Sequence, residues 1–287
     1  MKLLLTGCSG YVGGIVAPFL NSEIEGGVLY QTSSKGGDFK AGYKRCDLRN
    51  FEDVMRLSEW VKPDVIIHAA GNKDIKFCEA NELAAHSINV SAVENLVKAF
   101  GNDAVYIYIS SDYVFEGTRG NYTELDNPAP FTVYGHQKLT SEKLFLQNTE
   151  KSFIIRLSAL FNREGTFCKF LRNKFLNNEP VECYEDVFYS PTYYKNFLKT
   201  LGALISCRDF SQRLFHCCGE RVSRFDFAFM YARHLGFSTD LVKRAKLFDI
   251  GKDAPFFLRP DISLNGTGSY RRLNITPISL VDALNEL

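Results

Sequence analysis

Over its first half the chain alternates short apolar runs with longer amphipathic stretches. The runs KLLLT (2–6), VLYQT (28–32), DVIIHAAG (64–71), AVYIYISS (104–111) and SFIIRLSAL (152–160) are apolar along most of their length. That is the pattern of strands covered on both faces. Between them, apolar positions recur at helical spacing over 11–21, 50–61, 79–99 and 134–148, and Asn50 stands where an N-cap is expected. Regular β–α alternation predicts an α/β fold built on a doubly wound, parallel, Rossmann-type sheet.

The rhythm changes after Arg156. Helical spacing is expected over 165–178, 193–206 and 223–235, around a Pro-bearing segment at 180–192. RLFHCCG (213–219) reads as a strand returning to the sheet, and 251–277 reads as irregular. The expected division is a first domain over 1–155 and a small second subdomain that occupies most of 156–287.

The earliest chemical signal is TGCSGYVG (6–13), placed directly after the first strand. Gly7 can take a tight turn, Gly10 can let a ligand approach the main chain, and Gly13 can let the next helix pack closely on the strand. The N-terminus of that helix would offer free N–H groups to a pyrophosphate. An ordinary glycine-rich turn is the rival reading. Tyr134 and Lys138 lie four apart on a helix, hence on one face, and an ammonium beside a phenol favours the phenolate. Ser111 ends the fourth strand, where ligands of open α/β sheets gather, and its hydroxyl can hold a carbonyl oxygen.

Composition removes several alternatives. A formal charge of +1, with no basic run longer than Arg271-Arg272, argues against nucleic acid as a partner. No run reaches the ~18 apolar residues of a membrane span, and the N-terminal apolar stretch is too short for a signal peptide. The eight cysteines lack C-x-x-C or paired Cys/His spacing, so they read as reduced residues of a cytoplasmic protein, with no metal site expected. His68 and His216 read as sheet or core residues, and the 24 phenylalanines as core.

Together, TGCSGYVG, SSDYVF (110–115) and YGHQK (134–138) resemble the extended short-chain dehydrogenase/reductase family. The resemblance narrows to its dTDP-4-dehydrorhamnose reductase-like, sugar-nucleotide-binding branch through NYTELDNPAPFTVYGHQKLTSE, YEDVFYSPTYYKNFLKTL, RLFHCCGERVSRFDFA and RPDISLN. It covers nearly the whole chain in order. The chain departs from the branch at Ala159, where the branch carries Trp, and at Lys76, where it carries Asp.

The resemblance implies that Tyr134 is the general acid/base, that Lys138 holds the nicotinamide ribose and that Ser111 orients the substrate oxygen. Asn89 would position the active-site helix and its lysine. Gly7, Gly10, Tyr11, Val12 and Gly13 would cradle the dinucleotide, with Asp47, Leu48, Ala69, Ala70 and Gly71 along its adenosine side. Tyr113 would contact substrate; the bidentate guanidinium of Arg259 suits a substrate diphosphate, with a structural ion pair as the rival reading. At the end of the second strand stand Ser33, Ser34 and Lys35, with no carboxylate before Asp38. That favours NADP(H), with NAD(H) as the alternative.

The implied activity is reduction of a nucleotide-activated 4-keto sugar. The rivals are a sugar-nucleotide epimerase or dehydratase holding NAD tightly, and a non-catalytic NADP-binding regulatory subunit. Superfamily members are frequently homodimers, so a dimer is a further expectation of the resemblance.

Overall fold

The computed structural model describes residues 1–23, 26–35, 42–250 and 255–287; Asp38 lies outside them, as do the first four residues of the 251–277 stretch. The elements run β1 (Lys2–Thr6), α1 (Tyr11–Glu23), β2 (Val28–Thr32), α2 (Phe51–Trp60), β3 (Val65–His68), α3 (Ile75–Ala80), α4 (Glu82–His86) and, after a π-helical turn at Ser87–Ser91, α5 (Ala92–Phe100). They continue with β4 (Val105–Ser111), α6 (Val133–Asn148), β5 (Ser152–Leu157), α7 (Thr166–Leu176), β6 (Val181–Tyr184), β7 (Phe188–Tyr189) and α8 (Tyr194–Ser206). The last are β8 (Leu214–Cys217), β9 (Val222–Ser223), α9 (Arg224–His234), β10 (Val242–Ala245), α10 (Leu247–Ile250), α11 (Thr267–Arg272) and α12 (Leu280–Asn285).

A six-stranded sheet has the order β2-β1-β3-β4-β5-β8. Parallel register runs from β2 through β4, with Leu3 opposite Leu29 and Val65, and Val65 opposite Val105. The apolar runs explain it: every residue of β3, β4 and β5 is buried, as strands under helices on both faces require. Asn50 accepts a bond from the Asp53 amide and starts α2, whose Val54 and Leu57 then join Val93, Leu96, Tyr106 and Phe145 in the core.

The chain divides into two compact units. Unit one comprises Met1–Val114, Pro130–Arg156 and Gly202–Phe215; unit two comprises Phe115–Ala129, Leu157–Leu201 and His216–Leu287. In unit two, β6 pairs in parallel with β10, and β7 pairs antiparallel with β9. Its core is aromatic: Phe227 lies edge-on to Phe161 at 5.4 Å and stacks near Tyr231 at 6.2 Å.

Several elements differ from the periodicity reading. The third strand stops at His68, short of the expected 71. The helix expected over 79–99 is broken into three α-segments and the π-turn, with Asp74 capping the first of them. The fifth strand stops at Leu157, and the stretch read as irregular contains α11.

Candidate active site

The glycine turn is set by close backbone approach. Gly7 has φ +72°, and a Cβ there would meet the Ala70 backbone at 2.6 Å. A Cβ on Gly13 would strike the Gly7 carbonyl and lie 2.6 Å from the Cys8 Cα. Only hydrogen fits at either position, so α1 begins hard against the end of β1. Gly10 donates its N–H to the Gly7 carbonyl at 3.0 Å and closes the turn.

Beside this turn lies a cavity of about 360 Å³. It is lined by Gly7, Gly10, Ser33, Ser34, Lys35, Asp47, Leu48, Ala69, Ala70 and Gly71, and also by Ser9, Cys46, Arg49, Ile88 and Ala92. None of the last five was expected to line it: Ser9 is a non-glycine position of TGCSGYVG, and the others lie in loops and on a helix face. Tyr11, Val12 and Gly13 form the first turn of α1 instead. The Tyr11 ring lies beneath the Lys73 ammonium at 5.4 Å. Arg49 grips Asp47 with Nε–Oδ1 at 2.9 Å and Nη2–Oδ2 at 2.6 Å, which holds the Asp47 carboxyl below its usual range.

Tyr134 enters through the first turn of α6. Thr132 caps that helix by accepting the Gly135 amide at 3.0 Å. Gly135 is needed because a Cβ there would strike the Tyr113 carbonyl, so the helix sits directly on the turn after β4. Tyr113 stacks on Phe131 and meets the Tyr134 ring at 5.9 Å in a T-shaped arrangement.

Tyr134 and Lys138 are both buried. Burial pushes the Tyr134 phenol well above its ordinary value, and the Ser111 hydroxyl within its reach works the other way. Burial lowers the Lys138 ammonium to about 8, against an opposing pull from Glu142. Lys138 Nζ lies 5.9 Å from the Tyr134 ring centroid and donates to the Ile109 carbonyl at 2.8 Å. Desolvation thus sets the direction of the Tyr134 shift. Ser111 donates to Asp112 Oδ1 at 2.9 Å.

Asn89 lies in the π-turn and is buried. It accepts the Asn72 amide at 2.7 Å, donates to Gln137 Oε1 at 2.8 Å, and receives the Ser141 hydroxyl on its carbonyl at 2.7 Å. It thus ties the segment after β3 to α6 at two points. Single π-turns of this kind recur at functional sites.

Ser111, Tyr113, Tyr134, Lys138 and Asn89 all belong to unit one. Arg259 belongs to unit two, where its Cβ and Cγ cover Gly117 at φ +73°. His68 and His216 are buried; their Nδ1 atoms meet Thr6 Oγ1 at 2.7 Å and the Tyr122 carbonyl at 3.1 Å. Among the described residues no cluster of three metal-ligating side chains occurs, and no helix is long and apolar enough to cross a membrane.

A family model for the RmlD substrate binding domain matches residues 1–255. A dTDP-4-dehydrorhamnose reductase of Aggregatibacter actinomycetemcomitans is 30% identical over 235 residues, 79% of this chain and 76% of that protein. Methionine adenosyltransferase 2 subunit beta of Rattus norvegicus is 34% identical over 161 residues, 56% of this chain but only 47% of that relative. The dTDP-4-dehydrorhamnose reductase of Bacillus anthracis, solved in complex with NADP, shares the fold with a TM-score of 0.84 at 23% identity, over 99% of this chain and 97% of that one.

Proposed function

The chain belongs to the RmlD substrate-binding-domain family, and from that membership we propose that it is an NADPH-dependent reductase of a keto sugar carried on a nucleoside diphosphate. The observation that carries this reading is the meeting of Ser111, Tyr134 and Lys138 where β4 ends and α6 begins. They lie in the same unit as the glycine-walled cavity.

The residues present suit a dinucleotide. Gly7 and Gly13 leave no room for a side chain, and the amides of the α1 N-terminus suit a pyrophosphate. Ser33, Ser34 and Lys35 would take a ribose phosphate, while Asp47, Leu48 and Ala69 to Gly71 would flank the adenosine. When bound, the reduced cofactor supplies a hydride.

The chain's own residues would do the rest. Ser111 would hold the carbonyl oxygen. Tyr134, kept protonated by burial, would donate its proton to that oxygen as it becomes an alkoxide. Lys138 would hold the nicotinamide ribose through its ammonium protons, and its charge would favour the phenolate left behind. Arg259 of unit two would grip the substrate diphosphate.

The test is a panel of nucleotide-linked 4-keto sugars with NADPH and NADH, followed by loss of reduced-nicotinamide absorbance. Turnover that is faster with NADPH is expected. The likeness to methionine adenosyltransferase 2 subunit beta favours a second reading, a non-catalytic binding subunit. An all-negative panel, combined with tight NADP binding and co-purification with a synthetase, would replace the first reading by the second.

A further inference from the structure

Two consecutive residues of β4, immediately before Ser111, are gripped by α6: the Ile109 carbonyl takes the Lys138 ammonium at 2.8 Å, and Ser110 Oγ donates to Glu142 Oε1 at 2.5 Å. Spacing of four places Tyr134, Lys138 and Glu142 on one helix face, over about 12 Å of axis.

Glu142 makes no contact with the proposed reacting atoms, yet its carboxylate is the most heavily bonded group in the arrangement. Oε1 also accepts Arg156 Nε at 2.9 Å, and Oε2 accepts Arg156 Nη2 at 2.7 Å. The side chains of Arg156 and Glu142 are 3% and 2% exposed, and Ser110 is 4% exposed. A buried ion pair of this kind contributes little net stability compared with apolar side chains of the same volume. It does fix geometry, because a bidentate guanidinium leaves a carboxylate one orientation. In that orientation the remaining lone pair of Oε1 points at the residue next to Ser111.

We propose that Glu142 is a positioning residue: clamped by Arg156, it holds Ser110, and through it Ser111, at working distance from Tyr134. This rests on the reductase reading above. The catalytic triad thereby acquires a buried brace that runs from β5 through α6 to the end of β4.

Three variants test it. S110A cuts the link to the strand and leaves the Glu142–Arg156 pair intact. E142M/R156M replaces the pair as a unit and so leaves no uncompensated charge. E142Q/R156M keeps an oxygen that can accept from Ser110 and leaves no charge unpaired. Misplacing a reacting group by about 1 Å costs roughly 100-fold in rate.

The expected result is therefore a kcat lowered roughly 10-fold in S110A and 30- to 100-fold in E142M/R156M, with KM for NADPH and sugar within about threefold. E142Q/R156M should recover part of the loss, because its oxygen accepts from Ser110 while the clamp is gone. A folded S110A or E142M/R156M with wild-type kcat overturns the proposal, as does a loss that appears in KM alone.

A second measurement is independent of turnover. With tyrosine labelled at Cζ and the Tyr134 resonance assigned by Y134F, S110A should move that resonance in the same direction as S111A. An unmoved resonance overturns the proposal. A wild-type protein that reduces no keto sugar would instead count against the reductase reading alone.

Discussion

Lys138 donates to the carbonyl of Ile109 at 2.8 Å and lies 4.7 Å from the Tyr108 ring centroid, so strand β4, not water, holds this ammonium. Desolvation lowers its pKa from 10.5 to about 8. In the proposed mechanism ribose binding and phenolate stabilisation both need the proton, so kcat/KM is expected to fall as pH rises through about 8. Stability moves the other way. The folded value lies below the unfolded one, so the folded protein binds fewer protons between pH 8 and 10.5. The cost of the buried charge is complete below pH 8 and fades towards 10.5. Urea melts across that range should show the Lys138 contribution rising with pH while activity declines; a flat activity profile between pH 7 and 9.5 would refute the assignment.

Tyr134→Phe removes one oxygen from a side chain that is 7% exposed and packed with Cys78 and Ala85. The ring stays in place, so dinucleotide affinity is expected to stay within about threefold. The proton donor is gone, and general-acid catalysis is typically worth about 100- to 10,000-fold. Stopped-flow fluorescence of bound NADPH together with steady-state turnover would separate the two effects. A mutant that keeps more than a tenth of wild-type kcat would remove Tyr134 from the mechanism.

Two neighbouring glycines should respond in opposite senses to a methyl group. Gly13→Ala would drive Cβ into the Gly7 carbonyl and the Cys8 backbone, atoms that cannot step aside. A loss of about 1–3 kcal/mol is expected, with weakened dinucleotide binding. At Gly14, within α1, nothing lies within 4 Å of an added Cβ. Gly14→Ala should gain about 0.5–1 kcal/mol from helix propensity alone. Denaturant unfolding of both variants checks the pair.

The parts of the structure that hydrophobic spacing revealed are those in which burial alone fixes conformation. VLYQT became β2 without a residue's error, and α6 departs from the expected 134–148 by one residue. Where local geometry competes with burial, the pattern fails. The π-turn around Asn89 has no compositional mark, since it differs from an α-turn only in hydrogen-bond register. β7 and β9 are two residues each, too short for any period to show. Arg49 and Ser9 line the cavity from loops, where neither alternation nor helical spacing applies. The Glu142 brace was hidden for another reason: its partners Ser110 and Arg156 lie 32 and 14 residues away in sequence.

Lys35 is expected to decide the cofactor form. Its carbonyl accepts both the Ser33 hydroxyl and the Tyr43 hydroxyl at 2.7 Å, so the backbone at the end of β2 is pinned and the exposed side chain is carried on the cavity wall. A cation held there favours a ribose 2′-phosphate over a hydroxyl, by about 1–2 kcal/mol for a charge-assisted bond. Lys35→Ala is therefore expected to raise the KM for NADPH roughly 5- to 30-fold and to leave that for NADH within twofold. Lys35→Glu should repel the phosphate and invert the preference. Because the site is exposed, the NADPH advantage should also shrink as salt is raised from 0.05 to about 0.5 M, where the screening length falls well below 10 Å. Equal effects of Lys35→Ala on both cofactors would move the selection to Arg49, the other cation lining that cavity among the described residues, and Arg49→Ala would then show the NADPH-specific loss.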